Sequence, residues 1–277
     1  MKTTLKRFIF VWSGLIFWTY GFSASEINWE MEAFEPDLSN VPSLQNGFKV
    51  YVNYCLGCHS LQYQRYERTA DDLMIPHDLL EANLIFTDQK KGALITTAMD
   101  PVKAKAWFGA PPPDLTMVAR ARDEEWVYNY LKTFYVDDSR PFGVNNKVFE
   151  NVGMPHVLLD LQGSQRKVCK QVPKLVADDG EIRDPWYLAH RQFITEEKCG
   201  QDLMDRGYSP LELVEGSGEL SAEEYTQVVY DLTNFLYYVG DPALQGRERT
   251  GILVLLFLAV FFVFTYLLGK EYTKEFH

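Results

Sequence analysis

Cysteine is scarce, four residues in 277, too few to staple a disulfide scaffold. Basic residues are outnumbered, 27 Lys and Arg against 38 Asp and Glu, for a formal net charge of −11. That deficit argues against nucleic-acid binding, which needs a basic face. Repeats and low-complexity tracts are absent, and long apolar runs are confined to the two ends. The rest is ordinary. At 47% hydrophobic and 23% charged residues the chain can bury a core, so wholesale disorder is excluded.

The two ends read as membrane-directed. Lys2, Lys6 and Arg7 precede an apolar run from Phe8 to Phe22 and a small-residue stretch, Ser23-Ala24-Ser25. This is the order of a secretory signal, expected to span 1–25. Its removal leaves 24 basic and 38 acidic residues, net −14. At the other end, Gly251 to Leu268 gives 18 residues without a charge. As a helix that run covers about 27 Å, close to the hydrocarbon thickness of a bilayer. The expected order is a signal at 1–25, an exported domain at 26–246, a transmembrane helix at 247–269 and a cytoplasmic tail at 270–277. Basic residues flank the span on both sides, so the signal must set its orientation.

Within 26–246 the pattern predicts helices separated by stiff turns, with no strand-rich period. Ser43 can cap a helix that carries Leu44, Gly47, Phe48 and Tyr51 on one face and ends at Cys55. Ala110-Pro111-Pro112-Pro113-Asp114 is a rigid turn feeding a helix from Leu115 through Arg122. A further helix is expected over 124–134. Residues 135–165, with Pro141, Gly143, Gly153, Pro155 and Gly163, read as loops, and a hairpin could turn at Asp178-Asp179-Gly180. Ser221-Ala222-Glu223-Glu224 is a capping box. It opens a helix whose apolar stripe runs from Tyr225 to Val239, with Gly240 as the residue after its end and Pro242 as the stop. Gly47 and Phe48 are expected to cross that helix.

The chemistry concentrates in Cys55-Leu56-Gly57-Cys58-His59, the c-type haem attachment pattern. Two thiols one helical turn apart can add to the two vinyl groups on one porphyrin edge, and the adjacent imidazole is then carried under the iron. A zinc site would need two further ligands at short spacing, and Cys169 and Cys199 lie too far apart in sequence to supply them. Their place in an exported segment points instead to a disulfide between them, against free buried thiols. An electron-transfer haem is usually closed on its second face by Met. The candidates are Met74, Met99, Met117, Met154 and Met204, with His77, His156 and His190 as imidazole rivals. Gly153 and Pro155 fix a loop around Met154. His156 follows two residues later and, in an extended loop, would point to the same side.

Taken together, Cys55 to His59, the run Ala110 to Thr116 leading to Arg120-Ala121-Arg122, Val152-Gly153-Met154-Pro155 and the single C-terminal span resemble the cytochrome c1 family, in its bacterial branch. That family supplies the haem subunit of ubiquinol–cytochrome c reductase, the cytochrome bc1 complex. The resemblance implies a mainly α, cytochrome-c-like haem domain with inserted loops, plus the C-terminal transmembrane helix. It implies one covalently attached heme c, held by Cys55 and Cys58, with His59 and Met154 as axial ligands and Arg120 approaching a propionate. It implies no enzyme activity of the chain alone. The implied partners are cytochrome b, a Rieske iron–sulfur protein that delivers electrons and a cytochrome c that accepts them. It places the haem domain in the periplasm, anchored in the bacterial inner membrane. Residues 166–218 match the family least closely. Two rivals are a haem enzyme with an open sixth position and a tethered shuttle outside any complex.

Overall fold

The computed structural model describes residues 31–173, 195–205 and 207–274. The expected signal at 1–25 and the expected turn at 178–180 lie outside them. The described chain is mostly helical. Its principal helices are α1 (Val41–Val50), α2 (Pro101–Phe108), α3 (Val118–Ala121), α4 (Glu124–Lys132), α5 (Ala222–Gly240) and α6 (Leu244–Lys274). Among the described residues the strands form four two-stranded antiparallel sheets, one of them in the stretch from 135 on where loops are expected and one within 166–218, where a hairpin is expected. One pairs β1 (Phe134–Val136) with β2 (Val144–Asn146). Another pairs β3 (Cys169–Pro173) with β4 (Thr195–Cys199).

α1 and α5 cross at the centre of the core. At Gly47 an added Cβ would sit 2.1 Å from the Asp231 carbonyl oxygen and 2.6 Å from Phe235 Cβ, so glycine alone permits this approach. Phe48 stacks on Phe235 with ring centroids 5.2 Å apart, and Phe48, Tyr51 and Phe235 are fully buried. The cap of α1 is Asn40, whose Oδ1 accepts from Ser43 N at 3.2 Å. Ser43, the residue expected in that role, is buried and donates to Asp231 Oδ1 at 2.6 Å. Asn46 and Gln227 donate to the same carboxylate, so this buried charge is hydrogen-bonded as burial demands.

α5 begins at the expected capping box. Ser221 Oγ accepts from Glu224 N, and Glu224 Oε2 accepts from Ser221 N. Gly240 is the last helical residue rather than a left-handed one beyond the end. Its lack of a Cβ admits the Arg120 side chain, whose Cγ would lie 3.1 Å from that atom.

Directly after α1 the chain widens into one π-helical turn, Tyr51–Cys55, so that Leu56 N donates to Tyr51 O. Such turns recur at functional sites. This one delivers the attachment motif. At the far end, Thr250–Lys274 within α6 holds an 18-residue window of mean hydropathy 2.8, none of which is buried in the domain. Among the described residues it is the one helix long and apolar enough to cross a membrane.

β3 and β4 carry Cys169 and Cys199 as direct cross-strand partners. The two are joined in a disulfide with Cα atoms 4.3 Å apart.

Candidate functional site

A cavity of about 420 Å³ opens between the attachment motif, the 108–118 turn, α4 and the 152–157 loop, within the roughly 300–1,000 Å³ span of cofactor pockets. Cys55, Cys58 and His59 line one side. His59 N and Cys58 N both donate to the Cys55 carbonyl, which winds the motif into a single turn. Both thiols are unbridged. Burial pushes the Cys55 thiol up to about 12, so within the folded protein it is a neutral thiol.

Two hydrogen bonds set the His59 ring and backbone. Nδ1–H donates to the Pro113 carbonyl at 2.6 Å, and buried Tyr51 donates its hydroxyl to the His59 carbonyl at 2.6 Å. The first bond fixes the tautomer and leaves Nε2 as the lone-pair nitrogen, the arrangement of a metal-bound imidazole. The acceptor is itself held. Asp114, next to Pro113, accepts from Gln62 N at 2.8 Å and Thr116 N at 2.9 Å. Leu115 N also donates to Ser60 O. The proline run is thus a brace for the imidazole. Burial holds the His59 pKa below its ordinary value, which favours the neutral, ligating form.

Met154 lines the same cavity. Its loop is clamped from behind. Arg140 donates to the Asn151 and Val152 carbonyls, and Asn145 Oδ1 accepts from Asn151 N. Val152 packs with Phe134 and Val144. A Cβ at Gly153 would lie 3.2 Å from the Phe108 carbonyl oxygen, so the loop sits tight against the end of α2. Tyr130 donates its hydroxyl to Met154 Sδ at 3.4 Å. Burial raises the Tyr130 phenol above its ordinary value, which keeps it a donor.

His156 turns away from the position expected of it. Its ring lies flat on Phe134, centroids 4.7 Å apart and planes 2° off parallel, and Nε2 bonds to Gln162 Oε1 at 2.8 Å. Burial drives its pKa down to about 4. The other candidates are elsewhere. Met74 is 70% exposed and Met117 47% exposed, Met99 and Met204 do not line the cavity, His77 is paired with Asp71, and His190 lies outside the described residues.

Arg120 reaches away from the cavity. Its guanidinium meets Asp241 at 3.2 Å and lies over the Tyr237 ring at 5.2 Å. The guanidinium on the cavity wall belongs to Arg122, which packs over Trp126 at 5.4 Å. Sequence spacing could not separate the two, because both belong to one Arg-Ala-Arg repeat at the end of a short helix. Nor does the sequence single out Tyr130 as a site residue, since its place in an apolar helical pattern reads as core.

The residues present fit a covalently bound haem: paired thiols, an imidazole with its free nitrogen set by a bond at the other, an apolar cavity and a thioether on its wall. A model of the Cytochrome C1 family matches residues 36–168, a stretch that holds all of these groups and stops one residue before Cys169. The cytochrome c1 of Allochromatium vinosum is 47% identical over 89% of this chain and 90% of its own length. A protein described as the ammonia monooxygenase gamma subunit of Nitrosomonas europaea is 37% identical over 87% of this chain and 86% of its own. The cytochrome c1 of Rhodobacter capsulatus is 23% identical over 82% and 81%. With 47% identity to a cytochrome c1 over nearly the full length of both chains, the chain belongs to the cytochrome c1 family.

Proposed function

We propose that the chain is the one-electron carrier of a quinol–cytochrome c reductase complex, taking electrons from a Rieske iron–sulfur protein and passing them to a cytochrome c. The observation that carries this reading is the His59–Pro113 bond facing the same cavity as Met154. If both residues ligate the iron, no position stays open for a substrate, which disfavours the haem-enzyme rival. Heme c, bound once and covalently through Cys55 and Cys58, supplies the ferric–ferrous couple. The chain's own groups do the rest. His59 and Met154 set the ligand field, the proline brace holds the imidazole, and apolar walls exclude water. Arg122, rather than Arg120, is the guanidinium available to a propionate at the cavity wall.

In this reading 1–25 is a cleaved signal, 26–246 the periplasmic haem domain, 247–269 the inner-membrane span and 270–277 a cytoplasmic tail. Cytochrome b and the Rieske protein are its partners in the membrane. The net charge of −14 left once 1–25 is removed suits an acceptor cytochrome with a basic face, drawn in by long-range attraction. Purification of the tagged chain from native membranes tests the assignment. Co-elution of a cytochrome b and an iron–sulfur protein, with a low-spin ferric spectrum, is expected. A chain that elutes alone would be a tethered shuttle, and a high-spin ferric spectrum would indicate an open site and an enzyme.

A further inference from the structure

The cavity wall beside Met154 holds a polar group that haem attachment does not require. Tyr130 stands on α4 between two rings. Trp126, one turn back, stacks on it with centroids 4.9 Å apart and planes 10° off parallel, and Phe134 meets it edge-on at 5.1 Å. The Tyr130 carbonyl accepts from Asn146 Nδ2 at 2.7 Å, tying the end of α4 to β2. The ring therefore has one place to put its hydroxyl, and that place is 3.4 Å from Met154 Sδ. A hydroxyl on an apolar wall loses water, so it is retained where it has a partner.

We infer that Tyr130 is a positioning residue for the axial thioether, donating to the sulfur lone pair that does not face the cavity. The inference rests on the reading of Met154 as the sixth ligand. A thioether sulfur has two lone pairs and is a weak acceptor. With one pair on the iron and the other taking the Tyr130 proton, the sulfur gives less density to the metal. The loss falls hardest on ferric iron, the more electron-demanding state. The bond thus favours the ferrous form and raises the potential, a lever of hydrogen bonding around an axial ligand. It also fixes the sulfur: Met is a flexible side chain, and the hydroxyl selects one rotamer of a loop already clamped by Arg140.

The test uses the full chain in its native membrane assembly, with Tyr130→Phe and Tyr128→Phe. The first keeps the ring between Trp126 and Phe134 and removes only the hydroxyl. The second removes a hydroxyl from the same helix, away from Met154, where it meets Lys132. In Tyr130→Phe the near-infrared sulfur-to-iron band should persist but move to higher energy. The ferrous-to-ferric ratio at a fixed potential should fall about three- to tenfold, a tenfold change being about 59 mV for one electron. Imidazole titrated onto the ferric form should bind several-fold more weakly, because the ferric iron–sulfur bond is stronger. Tyr128→Phe should leave all three unchanged. A Tyr130→Phe protein indistinguishable from the unaltered chain in band, ratio and imidazole affinity overturns the inference while the Met154 reading stands. An unaltered chain that lacks the band overturns the Met154 reading and the inference with it.

Discussion

Gly47 lies against Asp231 so closely that a Cβ on it would come within 2.1 Å of the Asp231 carbonyl oxygen. Nothing flexible is in the way to yield, since the obstacle is helix backbone and the next nearest atom is the Cβ of Phe235. Gly47→Ala should therefore force α1 off α5 rather than push one side chain aside. Because α1 runs into the turn that presents Cys55, the shift reaches the haem motif. The expected cost is about 1–3 kcal/mol or more, the range for overpacked cores. Denaturant unfolding of the detergent-solubilised chain measures it, and an unchanged midpoint would mean that the helices separate freely.

Cys169 and Cys199 close a loop of 30 residues in sequence. In the chain-entropy model that cross-link is worth on the order of 3–4 kcal/mol. Mass analysis after alkylation without reductant should find no free thiol at either position. The Cys169→Ser, Cys199→Ser double variant should unfold at lower denaturant while the absorption spectrum of the haem stays as it was, because neither residue lines the cavity. A spectral change would show that the β3–β4 hairpin supports the site.

None of the apolar 18-residue window within Thr250–Lys274 is buried, and α5 completes the core with Tyr225, Val229, Leu232, Phe235 and Leu236 before α6 begins. A chain ending before Gly251 should fold around its haem and appear in the soluble fraction. Retention of that chain by membranes stripped of partner proteins would reveal a second anchor.

Local chemistry is what the sequence makes legible. The Ser221–Glu224 capping box completes its function within four residues and stands in the structure as the sequence reads, and the five residues from Cys55 to His59 are wound into one turn on the cavity wall. Roles set by distant partners are not legible. Ser43 and Asn40 are equally good caps by type, and only Asp231, 188 positions away from Ser43, takes Ser43 for the core. β2 carries Asn145 and Asn146, poor strand formers whose side chains serve the loops around them, so no alternation announces it. Arg120 and Arg122 differ only in which way a short helix turns them. Gly240 has the sequence context of a helix terminator, and it is instead the last helical residue, with the Arg120 side chain packed close against it.

The choice between Met154 and His156 yields the sharpest test of the site. Neutral imidazole is the stronger base, so composition alone would favour histidine if both could reach the iron. The geometry weighs against it. His156 has its ring stacked on Phe134 and its Nε2 committed to Gln162, and freeing it would forfeit both contacts, each worth about 0.5–1.5 kcal/mol. Met154 needs no such rearrangement, because it already lines the cavity. Met154→Leu should abolish the near-infrared sulfur-to-iron band, lower the potential steeply and let carbon monoxide bind the ferrous form. His156→Ala should leave band and potential nearly unchanged while costing on the order of 1–3 kcal/mol of stability, the sum of its two lost contacts. The readouts are the ferric near-infrared spectrum, a redox titration and a denaturant curve on the same preparations. Loss of the band in His156→Ala with its survival in Met154→Leu would reverse the assignment and require the 152–157 loop to turn over when the haem is attached.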